Sequence, residues 1–240
     1  MDIEAGHTEP ARPARPARGA GGTVAAPPAE DRSTRKRRAV LEAATALFLR
    51  HGYLGTSMDQ VAAFAAVSKP TVYKFFADKE HLFSEIVLGT LDRAVEPFQA
   101  ELEVLAETAD LDAELRRVAR HYLATVMQPP VLQLRRLVIG ASHQLPGLAQ
   151  AYYERAPERT IHALAGTFAR LADRGLLAIP DAAAAAGQFA FLVLGRALDK
   201  SLFCGDEPFS EAELTAQADS GATAFLAAYA GAPDEQRPRA

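Results

Sequence analysis

Between Ser68 and Lys74 the chain reads SKPTVYK, so Lys69, Thr71, Tyr73 and Lys74 bring two cations, a hydroxyl and a phenol into a short span. Groups of these types bind charge and exchange hydrogen bonds. Ammonium groups neutralise phosphates, while hydroxyl and phenol groups reach phosphate oxygens and base edges in a major groove. Spacing decides whether they act together. Val72, Phe75 and Phe76 can turn to a core on the opposite side, which leaves the polar set facing outward. Ser68 reads as the cap of a short helix. Lys69 and Pro70 fill its first turn, where a missing N–H costs nothing.

The flanking residues extend this set. Ser57 is a good helix cap with Gln60 placed to complete a capping box, and Thr56 and Ser57 can also meet a phosphate. Asp78 caps the next helix, where Lys79 and the free amides can hold a flanking phosphate. Arg35 and Arg37, in the basic run Arg35-Lys36-Arg37-Arg38, are candidates to follow a DNA backbone or enter a minor groove. The expected contact set is therefore Thr56, Ser57, Ser68, Lys69, Pro70, Thr71, Tyr73, Lys74 and Lys79, with Arg35 and Arg37.

Positioning these side chains takes two short helices joined by a tight turn, a helix-turn-helix, packed on a first helix. Val40, Ala43, Ala44, Leu47 and Phe48 recur at helical spacing, and Gly52 closes that helix after Arg50-His51. Further helical runs cover about 79–107, 111–127, 131–144, 148–174, 182–204 and 210–229, broken at Pro129-Pro130, Pro146, Gly175, Pro180 and Pro208. No run alternates with period two. The expected architecture is all-α with about nine helices. An arm rich in Pro, Arg and Gly over 1–32 cannot bury enough apolar area to offset its ordering, so disorder is expected there. The helix-turn-helix domain is expected over 33–84, a helical ligand-binding and dimerisation domain over 85–230, and a flexible tail over 231–240.

The run HGYLGTSMDQVAAFAAVSKPTVYKFFADKEHLF, within a stretch from about Arg37 to Val87, resembles the DNA-binding domain of the TetR family of bacterial transcriptional regulators. The resemblance rests on Gly52-Tyr53 before Thr56-Ser57, Val61-Ala62, Val67-Ser68, Thr71-Val72-Tyr73, Phe76, Lys79-Glu80 and Leu82-Phe83. It implies an all-α homodimer that binds a palindromic operator and, in most members, leaves it when a small ligand binds. Family members usually have glycine in the turn where this chain has Ala66. A positive φ there would cost alanine on the order of 1 kcal/mol. A second run, RRLVIGASHQLPGLAQAYYERAPERTIHALAGTFARLADRGLL, is similar to the C-terminal domain of an AefR-like subgroup, which implies that late helices pair with a second subunit.

The residues point the same way for pairing. Ala163, Ala165, Gly166 and Ala169 place small groups on one helix, and Phe189, Leu192 and Val193 place bulk on another. A four-helix seam through about 157–174 and 182–204 is expected. Candidates for lining a ligand pocket are His121, Tyr122, Met127, His143, Phe168 and Phe191. Few charges lie among them, so an apolar or aromatic ligand is expected rather than an anionic one.

Composition narrows the function classes. The 240 residues are 49% hydrophobic and 23% charged, with formal net charge −4, so nucleic-acid contact must come from a local basic face. One cysteine, Cys204, permits neither an intrachain disulfide nor a cysteine zinc site; late in an apolar helix, it is expected to be buried and inert. There is no His-Glu-x-x-His, Gly-x-Ser-x-Gly or Walker glycine loop. An enzyme is therefore not expected, nor a cofactor or metal. No signal peptide or bilayer-length apolar run is legible, so a cytoplasmic protein is expected. A dimeric receptor that has lost DNA binding is the alternative, opposed by the intact reading residues.

Overall fold

The structure is a computed structural model that describes residues 31–205 and 209–231. Residues 1–30 of the arm expected over 1–32, the break at Pro208 and residues 232–240 of the tail expected over 231–240 lie outside the described residues. Among the described residues ten α-helices follow in order: α1 (Arg32–His51), α2 (Met58–Phe64), α3 (Lys69–Phe75), α4 (Lys79–Glu107), α5 (Leu111–Val126), α6 (Pro129–Ala141), α7 (Pro146–Tyr153), α8 (Arg159–Asp173), α9 (Ala182–Cys204) and α10 (Glu211–Tyr229). There is no strand among the described residues, only an isolated bridge between Leu177 and Ala230. The single run expected over 148–174 is divided. A π-helical turn at Glu154–Glu158, containing Pro157, joins α7 to α8. Proline offers no N–H to the helical ladder, and a local change of helical pitch accommodates that loss.

The first three helices form because their ends are chemically marked. Asp31 accepts from Ser33 N at 3.3 Å and starts α1 at Arg32, one residue inside the segment expected to be arm. Gly52, at φ 71°, closes α1 with its N–H on Phe48 O. Ser57 and Gln60 make the expected capping box. The turn from α2 to α3 is a Schellman closure: Ala66 N donates to Ala63 O at 3.2 Å, and Val67 N to Ala62 O at 3.1 Å. This closure needs a left-handed residue, and Ala66 adopts φ 52°. Gly175, at φ 76°, does the same after α8 with bonds from Gly175 N to Ala172 O and Leu176 N to Leu171 O.

Two apolar cores share α4 as a common spine. One holds Val40, Phe48, Val61, Val72, Phe76 and Phe83 from α1 to α4, and draws in Leu134 and Val138 of α6 with Leu148 and Tyr152 of α7. The other holds Phe98 and Leu102 of α4 with α5, α8, α9 and α10, centred on Phe168, Phe189 and Phe225. Polar ties span the helices of the second core. Arg120 Nε donates to Asp219 at 2.7 Å, and Arg170 reaches Glu103 and Glu107 of α4 at 2.8 and 2.5 Å. Arg136 of α6 donates to Ser201 O and Gly205 O at the end of α9. No helix among the described residues is long and apolar enough to cross a membrane.

Candidate DNA-binding face and ligand cavity

Val72 anchors α3 with 0% of its surface exposed, and Phe76 just after the helix is equally buried. With that side committed to the core, Ser68, Lys69, Pro70, Tyr73 and Lys74 are exposed and Thr71 is half-buried. Tyr73 is 44% exposed. Ser68 caps α3 by backbone geometry, while its hydroxyl lies 2.7 Å from Thr71 Oγ1 instead of bonding an amide. Lys69 Nζ sits 2.7 Å from Asp59 Oδ1 of α2. That hydrogen bond and the nearby carboxylate raise its pKa, so the ammonium stays charged. Ser57 is exposed beside this face.

Several expected contacts are placed elsewhere. Thr56 is 3% exposed and donates its hydroxyl to Gly52 O at 2.9 Å, so it closes the end of α1 and cannot meet a phosphate. Lys79 Nζ donates to Tyr53 O at 2.9 Å and Thr56 O at 3.0 Å and stands 4.3 Å from the centre of the Tyr53 ring. Its charge therefore holds the chain before α2 instead of facing outward. Arg37 pairs with Glu85 of α4 and stacks on Phe76 at 5.3 Å, which ties α1 to α4 and takes it from the expected DNA contacts. Arg35 remains exposed on the first turns of α1. His81, spaced to pair with Glu85, has its Nδ1 accepting from Ala77 N at 3.4 Å.

The second site is a cavity of about 660 Å³ between α5, α6, the π-turn region and α9. It lies where the two cores meet, since Tyr122 belongs to one and Val138 and Tyr152 to the other. Ile139, Leu194 and Leu198 supply apolar wall, Tyr153 and Phe191 form its open side, and Arg135 and Asp199 bring charge. Burial pushes the Tyr122 phenol up to about 12, so it remains a donor at neutral pH.

Of the six candidate lining residues, Tyr122 and Phe191 line this cavity. Phe168 is fully buried against Phe189 and Phe225 at 5.5 and 4.8 Å between ring centres. His121 turns toward α4, with Nδ1 2.6 Å from Glu101 Oε1. Met127 packs against the second core, and His143 is exposed. Sequence reasoning missed Arg135, Tyr152 and Tyr153. Three polar-tipped residues inside apolar helices were the available signal. Cys204, expected to be buried, is exposed. Phe189 and Val193, expected to supply bulk to a subunit seam, are at 0% exposure inside their own subunit.

Comparison with known proteins matches the same two regions. The family described as bacterial regulatory proteins, tetR family, matches residues 40–86, and the AefR-like transcriptional repressor C-terminal domain matches 113–231. A TetR-family transcriptional regulator from Mesorhizobium loti is 39% identical, with TM-score 0.75, covering 84% of this chain and 100% of that one. The flavonoid-responsive regulator FrrA is 34% identical, with TM-score 0.65, covering 86% and 99%. The HTH-type transcriptional regulator YhgD of Bacillus subtilis is 44% identical over 72 residues, 27% of this chain and 38% of the relative. The chain thus spans well under half the length of that curated relative. With both family patterns present in order and one relative matched from end to end, the chain belongs to the TetR family of bacterial transcriptional regulators, DNA-binding transcription factors rather than enzymes.

Proposed function

We propose that the chain is a repressor that binds a palindromic DNA operator as a homodimer and leaves it when a small aromatic ligand enters the cavity. The observation that carries this reading is the outward side of α3. Ser68, Lys69, Pro70, Tyr73 and Lys74 are exposed there on a helix anchored by buried Val72. Thr71 at its edge, Ser57 beside it and Arg35 on α1 complete the contact set. Tyr73 and Lys74 reach base edges and phosphate, and Lys69 exchanges Asp59 for a phosphate on the duplex. Repression is favoured by the likeness of residues 113–231 to a transcriptional repressor domain.

One reading head makes few specific contacts, and two heads roughly 34–36 Å apart read successive major grooves. The pairing surface is centred on the outward face of α9. Phe191 and Leu192 are 75% and 40% exposed there, flanked by the exposed small residues Gly166 and Ala169 of α8. An aromatic ligand is favoured by the apolar and phenolic cavity wall and by likeness to a flavonoid-responsive regulator. The cavity separates two cores that share α4. A ligand wedged between them therefore shifts α6 and α7 relative to α9 and changes the separation of the heads.

Fluorescence anisotropy with DNA from upstream of the gene tests the reading. Wild type should bind a palindromic segment, and Tyr73→Ala and Lys74→Ala should each weaken binding by about tenfold or more with unchanged melting temperature. Wild-type affinity in both variants would refute the contact assignment.

A further inference from the structure

Arg135 of α6 differs from the arginines that tie the helices of the second core to one another through carboxylates. Arg116, Arg120 and Arg170 each hold a carboxylate at 2.9 Å or less. Arg135 is half-buried and donates its Nε–H to Tyr152 Oη at 3.2 Å, with its guanidinium carbon 5.8 Å from the centre of that ring. It makes no ion pair among the described residues. Its Nη groups are left as donors beside an apolar wall, where a partly desolvated cation gains most from an anionic partner. Asp199 lines the same cavity without pairing to it. The Glu213 carboxyl on α10 is held below its ordinary value first by its hydrogen bonds from Ser210, with the charges of Lys200 and Arg196 as lesser contributions.

The position of Arg135 adds to this. Arg135, Tyr122 and Tyr152 line both the 660 Å³ cavity and a smaller space of about 40 Å³, which Leu91, Ala94 and Phe98 of α4 also line. The smaller space has room for about one water. A head group bound at Arg135 therefore sits at the partition between the main cavity and α4, within reach of a phenol that stays protonated. Of the two arginines that line the cavity, Arg196 is exposed and Arg135 is half-buried, so one partly desolvated guanidinium is offered beside the Asp199 carboxylate, which suits a monoanion rather than a phosphate ester or a dianion. Resting on the ligand-released reading above, we infer that the cavity takes an aromatic monocarboxylate. Its carboxylate is held by Arg135 and its ring by Ile139, Phe191, Leu194 and Leu198. This reading keeps an aromatic body and departs from the expectation of an apolar or aromatic ligand rather than an anionic one.

Calorimetric titration of the full chain with 2-naphthoate and with 2-naphthamide tests this. The acid should bind at least about tenfold more tightly than the amide, and Arg135→Gln should abolish that preference while leaving amide binding within about twofold. Equal affinity for acid and amide, no binding of either, or a preference that survives Arg135→Gln would overturn the proposal. Should that variant not fold, Arg135→Lys keeps the charge but not the fork, and the preference should fall at least about threefold; an unchanged preference there also overturns it. Operator anisotropy run in parallel separates the two claims. Failure of the ligand-free wild type to bind operator DNA strikes the gene-control reading, whereas the acid preference is decided by calorimetry alone.

Discussion

The ammonium of Lys79 is committed twice inside its own subunit, to Tyr53 O and Thr56 O, with the Tyr53 ring beneath it. Replacing it by methionine keeps the aliphatic stem and removes these bonds. Lys79→Met should therefore lower stability by about 2 kcal/mol, measured by chemical denaturation. The salt slope of operator binding should stay unchanged, where loss of a phosphate contact would reduce it by about one. Ala66 presents the opposite case, a residue whose replacement improves the fold. It is exposed, so no packing depends on its methyl, yet the Schellman closure holds it at φ 52°. Ala66→Gly should raise stability by about 1 kcal/mol, read as a higher melting temperature. The turn at Ala66 was legible in the sequence because its neighbours marked two helix ends. The commitment of Lys79 was not, because Tyr53 and Thr56 lie more than twenty residues away.

Packing of α9 on α10 sets a limit of another kind. Gly221 lies so close to α9 that an added Cβ would meet Leu192 O at 2.8 Å and Val193 Cα at 3.0 Å. Both are backbone atoms that no rotamer change can move. Gly221→Ala should cost about 1–3 kcal/mol by forcing these helices apart, detectable as a lower denaturation midpoint. The helical runs themselves were readable from periodicity and caps, and the capping boxes at Ser57 and Ser210 form as local chemistry dictates. Division of the 148–174 run was less readable. Pro157 could equally have kinked or ended a helix, and the surrounding core selected a π turn. The outward faces of α8 and α9 were harder still. Phe189 and Val193 look like seam residues by spacing, but the register of α9 against Phe168 and Phe225 turns them inward and leaves Phe191 and Leu192 outside.

At the scale of the whole molecule, the cavity lies at the junction of two cores that share one long helix, and the reading head projects from the first of them. Sedimentation at micromolar concentration should give twice the chain mass; a monomer at that concentration would contradict the paired-head reading. What the sequence by itself determined was everything encoded within a few residues: helix ends, the helix-turn-helix, the outward polar side of α3 and the all-α class. Period, capping and steric limits act over one or two turns, and these are printed in the local order of residues. What only the tertiary structure decided was which polar side chains remain available. Thr56, Arg37, Lys79 and His121 found partners within the subunit, and Arg135 was left facing the cavity without a carboxylate. That allocation depends on contacts between helices far apart in the chain, where a charge is partnered or left open by packing geometry and not by the residues beside it.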